Sequence, residues 1–307
     1  VKPAWILSAD WGGTAKKRCV YEACVAERVV RHVAPPADGW TLEALSAEAK
    51  RRSGPVLIGI DASLGVPTSY LTAARRVFRL GRATTFLELI RTVPDSWFVE
   101  RKTWSVEQPF IAVPKGAGSL TRITRAALKL GVELKRSLEV QTKAKATFIV
   151  SGIPGTVGSG SRDVWRSLRT SAVKVWPFDG ELSTLLQGGQ PVLAECYPRI
   201  AYATALLDGP RAPLGIAKTD ASVRTRAVEA LRETQWLNRG GVRLEDQDEM
   251  ETSEDAFDAG ITAAALLRIV LERLPPHASV DPIAEGGILG TGSVRLDLPE
   301  ARFGAAE

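Results

Sequence analysis

The sequence predicts an α/β fold, a mixed sheet flanked by helices. Three observations lead there: strand-like runs crowd the first 35 residues, later apolar runs of four or five residues alternate with helical stretches, and a long helix lies near the end.

Residues 5–9 are an apolar run ending on Asp10, and Trp11-Gly12-Gly13-Thr14 follows. This is the pattern of a buried strand and a tight turn. Residues 18–26 and 28–34 read as two more strands, so the chain begins with an antiparallel three-strand unit that Pro35-Pro36 ends. In 41–52, Leu42, Leu45 and Ala49 share one helical face, and Gly54-Pro55 stops the helix. Residues 56–60 have the length and composition of a central parallel strand and end on Asp61. Over 68–146 the alternation breaks into helical patches interrupted by Pro94, Pro109 and Pro114. We expect a largely helical inserted cap here, within a single domain of 1–307. Residues 151–161 read as a mobile Gly/Ser loop near the site, 162–169 as helix, 173–178 as strand, 192–195 as a strand ending on Glu195, 222–236 as helix and 245–251 as turn or loop. Residues 255–274 form the strongest helix, and Pro275-Pro276 stops it.

Composition narrows the chemistry. With 307 residues, 45% hydrophobic and 24% charged, the chain can bury a large core. A net charge of +5 permits a polyanionic partner such as nucleic acid or a nucleotide. His32 and His277, the two histidines, stand in no suggestive context, which argues against serine–histidine and cysteine–histidine hydrolases. Cys19, Cys24 and Cys196 form no CxxC pair, so a cysteine zinc site is not expected, and their odd number suits a reducing cytoplasm. The opening apolar run is too short for a signal or membrane segment. We therefore expect a cytoplasmic protein with no membrane partner and no obligate protein partner.

Acids mark the ends of three apolar runs, at Asp10, Asp61 and Glu195. In an open α/β sheet the functional crevice lies at the carboxyl ends of the parallel strands, so acids there converge if the strands are neighbours. Asp255 and Asp258 are spaced i, i+3 and share a helix face with Thr262, Ala265 and Ile269, while the small residues Ala259, Gly260, Ala263 and Ala264 allow a close approach to a sheet. Clustered carboxylates raise each other's pKa, and hard divalent cations with oxygen ligands remove that penalty. Such a cluster activates water for in-line phosphoryl displacement without histidine or cysteine. Each acid alone is an ordinary strand-end or cap residue; their order along the chain is what points to Asp10, Asp61, Glu195, Asp255 and Asp258 as catalytic. Of these, Asp10, Asp61, Glu195 and Asp258 are the expected ligands of Mg²⁺ or Mn²⁺.

Four segments carry a family resemblance: Ile58-Gly59-Ile60-Asp61-Ala62-Ser63-Leu64-Gly65-Val66-Pro67, Ala194-Glu195-Cys196-Tyr197-Pro198-Arg199, Asp255-Ala256-Phe257-Asp258-Ala259, and Glu285-Gly286-Gly287-Ile288-Leu289. With Asp10 they span almost the whole chain, and the first is the most specific. In these segments the sequence resembles the "domain of unknown function 429" family of predicted nucleases. The resemblance implies a ribonuclease H-like mixed five-stranded sheet flanked by helices, three antiparallel strands joined to parallel ones, with the same acids at the active site. Ser253-Glu254 stands where such helices often carry histidine, which makes Glu254 a competing ligand.

Secondary signals remain. Asp10-Trp11-Gly12-Gly13-Thr14 also resembles the first phosphate motif of the sugar kinase, Hsp70 and actin superfamily, so a nucleotide-binding phosphotransferase is an alternative to a nuclease. A non-catalytic nucleic-acid-binding relative is another. The 68–146 stretch is basic, through Arg101, Lys102, Lys115, Arg122, Arg125, Lys129, Lys135, Arg136, Lys143 and Lys145 against Glu107, Glu133 and Glu139. Arg162, Arg166 and Arg169 make a helical basic stripe able to track a phosphate backbone. These three, with Lys115 and Arg199, are the candidate substrate contacts. Trp97, Trp104 and Trp165 interleave with basic residues and are candidates for stacking on bases, or for packing a core.

Overall fold

A computed structural model describes residues 1–116, 118–153, 156–209, 211–277 and 281–304. The chain folds as two compact units. The first comprises Val1–Asp61, Val173–Ala278 and Ile288–Glu307, and the second Ala62–Ala172 with Ser279–Gly287.

The first unit is built on a mixed seven-stranded sheet. Its strands are β1 (Trp5–Asp10), β2 (Cys19–Cys24), β3 (Val29–His32), β4 (Val56–Ile60), β5 (Lys174–Val175), β6 (Val192–Glu195) and β7 (Arg243–Leu244). Their order is β7-β3-β2-β1-β4-β6-β5. The pairs β1–β2 and β2–β3 are antiparallel, and every other pair is parallel. The central strands are buried along most of their length, which is why they read as continuous apolar runs. The expected five strands become seven because two-residue strands extend both edges. One of them, Arg243–Leu244, carries no strand pattern and is held by pairing with β3. The 245–251 stretch, expected as turn or loop, contains the helix Gln247–Thr252.

The helices of this unit include α1 (Leu42–Lys50), α2 (Pro198–Leu206), α3 (Ala221–Glu233), α4 (Gln247–Thr252) and α5 (Glu254–Glu272). Ser253 caps α5 by accepting from the Ala256 amide, and Glu254 and Asp255 suit the positive end of the helix dipole. Every residue from Ala256 to Ile269 is buried, so α5 is a central helix and not a surface one. It packs across β1 and β2 and against α2 and α4. Two glycines permit this approach. A Cβ on Gly59 of β4 would stand 2.6 Å from the Cys196 sulfur and 2.7 Å from Leu266 Cδ1; one on Gly260 would stand 2.7 Å from the Met250 sulfur. The buried Arg268 is satisfied by Asp208 and Glu272, each at 2.8 Å, and by the Thr204 and Leu207 carbonyls.

The second unit has an aromatic core of Tyr70, Phe86, Trp97, Phe98, Phe110, Phe148 and Trp165. Trp97 Nε1 donates to the Tyr70 hydroxyl at 2.8 Å, which donates to the Val106 carbonyl at 2.7 Å, and Trp165 Nε1 donates to the Ser63 carbonyl at 2.6 Å. Trp97 and Trp165 are therefore core residues, closed to base stacking. Trp104 packs edge-on against Tyr70 and is partly buried. Residues 158–161 also depart from the expected loop: the helix Gly158–Leu168 takes in Gly158 to Ser161, and Gly158 lies against the Thr147 and Ile149 carbonyls where a side chain would not fit. Pro154 and Gly155 of that expected loop lie outside the described residues. No helix among the described residues is long and apolar enough to cross a membrane.

Two substitutions test this packing by urea unfolding of the full chain. Gly59→Ala forces a methyl between β4 and α5 and is expected to destabilise by about 1–3 kcal/mol. Trp97→Ala empties the aromatic core and is expected to destabilise by about 3–5 kcal/mol.

Candidate metal centre

Sheet register sets the first two acids. Ala9 pairs with Ile60 in the parallel β1–β4 ladder, and the Asp61 amide donates to the Ala9 carbonyl at 2.9 Å. Asp10 and Asp61 are thus neighbours at the ends of adjacent parallel strands, on the same face of the sheet. Helix α5 covers that face, and Asp258, just over one turn from its start, comes down on the pair. Carboxylate oxygens of Asp10, Asp61 and Asp258 all lie within 4.8 Å of one another. Asp10 and Asp258 are buried and Asp61 is half-buried.

This crowding disfavours ionisation. Burial, then the charges of Asp258 and Asp61, holds the Asp10 carboxyl well above the usual carboxylate range. Burial and the Asp258 charge push Asp61 up to about 7. Asp258 is also raised by burial, against the opposing pull of Lys218 and Tyr202. Cys19, opposite Asp10 in the β1–β2 ladder, is pushed up to about 12 by burial and by the Asp10 charge. The Cys196 thiol is raised by burial and by Asp61. Neither sulfur belongs to the group of converging donor atoms, which are all carboxylate oxygens.

Three residues unmarked in the sequence complete the cluster. The Tyr202 hydroxyl of α2 donates to Asp258 Oδ1, and the Lys218 ammonium donates to Asp258 Oδ2. For Lys218, burial works to lower the pKa, but the charge and hydrogen bond of Asp258 together with the charges of Asp10 and Asp61 outweigh it, and the ammonium is held above its usual range. Arg224 of α3, itself buried, donates to the Lys218 carbonyl at 2.6 Å, the Glu251 carbonyl at 2.9 Å and the Thr252 carbonyl at 3.1 Å. A lone lysine in a loop and an arginine in an amphipathic helix carry no motif, so spacing could not have found them.

Other expected site residues fall elsewhere. Glu195 ends β6 as anticipated, but it pairs with Ile60, not with Asp61. That one-residue offset turns its side chain to the face opposite Asp61, and it stands outside the three-carboxylate group. Its charge still raises Asp61. Asp255, one turn before Asp258, is half-buried and acts on Asp10 and Asp258 through its charge. Glu254 is exposed and is not in the group.

The expected substrate contacts are largely engaged within their own units. Arg162 lies 3.6 Å from Glu100. Arg166 donates to the Phe98 carbonyl at 3.3 Å, and Arg169 pairs with Asp95 and donates to the Val93 carbonyl at 2.9 Å. All three guanidinium groups lie over Phe98 or Phe110 rings. This stripe staples its helix to the aromatic core. Arg199 pairs with Glu300 at 2.6 Å. Lys115 is exposed. Arg136, counted among the basic residues of the insertion, is buried against Glu139 at 3.0 Å. In the turn after Asp10, Trp11 is buried beneath the Arg18 guanidinium, which donates to the Gly12 carbonyl at 3.0 Å.

Compared with protein-family models, curated proteins and solved structures, the chain has no match.

The raised acids predict a pH dependence of stability. Folded Asp61 keeps its proton up to about pH 7, whereas an aspartate of the unfolded chain loses it near pH 4. In that window the folded chain binds more protons, so the cluster's contribution to stability falls as pH rises through it. Thermal unfolding of the metal-free chain should show this decline, and Asp61→Asn should flatten it. An equally steep decline in Asp61→Asn would contradict the assignment.

Proposed function

We propose that this chain is a divalent-metal-dependent hydrolase of phosphodiester bonds, a nuclease on a ribonuclease H-like core. The observation that carries the proposal is the meeting of Asp10, Asp61 and Asp258 at the ends of two adjacent parallel strands beneath one helix. The donor set fits a hard cation: three carboxylates within 4.8 Å, mutually destabilised when ionised. The strand order β3-β2-β1-β4-β6, with β2 reversed, is consistent with the core that the resemblance to the predicted nucleases implies.

Mg²⁺ or Mn²⁺ held at this site supplies Lewis acidity and a source of nucleophilic water at neutral pH. Asp10 and Asp61 would hold the ion from the sheet. Tyr202 and Lys218 fix the orientation of Asp258. The Lys218 ammonium offers positive charge to a phosphate, and the +5 net charge favours a polyanionic substrate such as nucleic acid. Three buried free cysteines support a cytoplasmic location.

The test is hydrolysis of single-stranded, duplex and branched DNA and RNA in the presence of Mn²⁺. Wild type should cleave at least one of these, chelation should stop it, and Asp61→Asn should reduce cleavage to background. Equal activity of wild type and Asp61→Asn would refute the proposal. Salt-sensitive binding that survives Asp10→Asn and Asp61→Asn, without turnover, would instead identify a non-catalytic nucleic-acid-binding protein.

A further inference from the structure

The carboxylate cluster already contains a cation. Lys218 donates to one Asp258 oxygen while Tyr202 donates to the other, so both oxygens of that carboxylate are engaged by the protein. Asp258 is 2% exposed and the Lys218 side chain 32%, so the lysine reaches a buried acid from a partly open position.

This lysine is built in, in contrast to a long surface side chain that happens to touch an acid. Arg224 grips its carbonyl, and with its other nitrogens grips the Glu251 and Thr252 carbonyls. Those two residues close α4 directly before Ser253, the cap of the helix that carries Asp258. One buried guanidinium thus ties the backbone of the lysine to the backbone that places its carboxylate partner. Arg224 is 5% exposed, and its burial supplies the rigidity.

In two-metal phosphoryl transfer the ions sit roughly 3.5–4 Å apart and share carboxylate oxygens. An ammonium hydrogen-bonded to Asp258 Oδ2 occupies the place from which a second ion would draw that oxygen, and like charges cannot share it without strong repulsion. With all three carboxylates ionised, as ligation of a cation requires, one ammonium leaves two negative charges, the charge of one divalent ion.

We propose that Lys218 is the resident second cation of the centre, so that the site takes one divalent ion, on Asp10 and Asp61, and not two. The inference rests on the metal-dependent reading above and adds to it the stoichiometry and the role of the lysine. Lys218 then meets the negative charge of the phosphate that a second ion would otherwise meet.

The experiment is titration of the full chain with Mn²⁺, following the free-ion electron paramagnetic resonance signal, for wild type and for Lys218→Met, which keeps the stem and removes the charge. Wild type should bind one ion per chain, and Lys218→Met should bind two. Two ions bound by wild type would overturn the inference and leave the metal-dependent reading standing; no ion bound by wild type would overturn both. A single ion of unchanged affinity in Lys218→Met would also overturn it. Should circular dichroism show Lys218→Met unfolded, anomalous diffraction from Mn²⁺-soaked wild-type crystals decides the same point. One peak against Asp10 and Asp61, with Lys218 still on Asp258, supports the inference, and two peaks refute it.

Discussion

Holding three carboxylates with oxygens within 4.8 Å, two of them buried, is unfavourable in itself, and the surrounding structure is arranged to sustain it. The β1–β4 ladder fixes Asp10 and Asp61 as neighbours through backbone hydrogen bonds, which are indifferent to the charge they bring together. The third acid arrives on α5, a helix whose middle is buried and which therefore cannot swing away. Lys218 and Tyr202 then satisfy Asp258, as a buried charge requires. Removing any one of these supports relaxes the cluster, so the acids are best understood together with the lysine, the tyrosine and the arginine behind them.

Small residues make this geometry attainable. The helix approaches the sheet where Gly59 faces Leu266, and approaches α4 where Gly260 faces Met250. A side chain at either position would push α5 outward and carry Asp258 with it. The glycine in Ile58-Gly59-Ile60-Asp61 thus serves the acid two residues later through packing and not through backbone freedom. The second unit follows a different logic. Arg162, Arg166, Arg169, Trp97 and Trp165, which in sequence look like a surface for a polyanion, are engaged within the unit. Cationic groups lie on aromatic rings, and the indole nitrogens of Trp97 and Trp165 reach internal acceptors.

The divide between what was legible and what was not follows the range of the interactions. Local pattern sufficed for β1, β4, β6 and α5, because an apolar run bounded by turn residues or a capped helical repeat is encoded within a few residues. It also sufficed for Asp10, Asp61 and Asp258 as candidates, since each is marked by the end of a strand or by its place in a helical turn. The edge strand Arg243–Leu244 carries no pattern and forms only because a neighbour offers hydrogen-bonding groups, whereas the other edge, Lys174–Val175, falls within the expected strand 173–178. Basic spacing along the helix Gly158–Leu168 was equally visible, but whether its arginines face solvent or an aromatic core is a property of what packs there.

The sequence by itself determined the mixed α/β architecture and the acids at its strand ends, because hydrophobic periodicity is local. Only the tertiary structure decided which acids meet. Glu195 and Asp61 look equivalent in sequence, each closing an apolar run, yet a register offset of one residue sends their side chains to opposite faces of the sheet. Register depends on hydrogen bonds between segments more than 130 residues apart, and the pairing of Lys218 with Asp258 depends on a fold that closes 40 residues of chain. Neither quantity is written in the neighbourhood of the residues it controls.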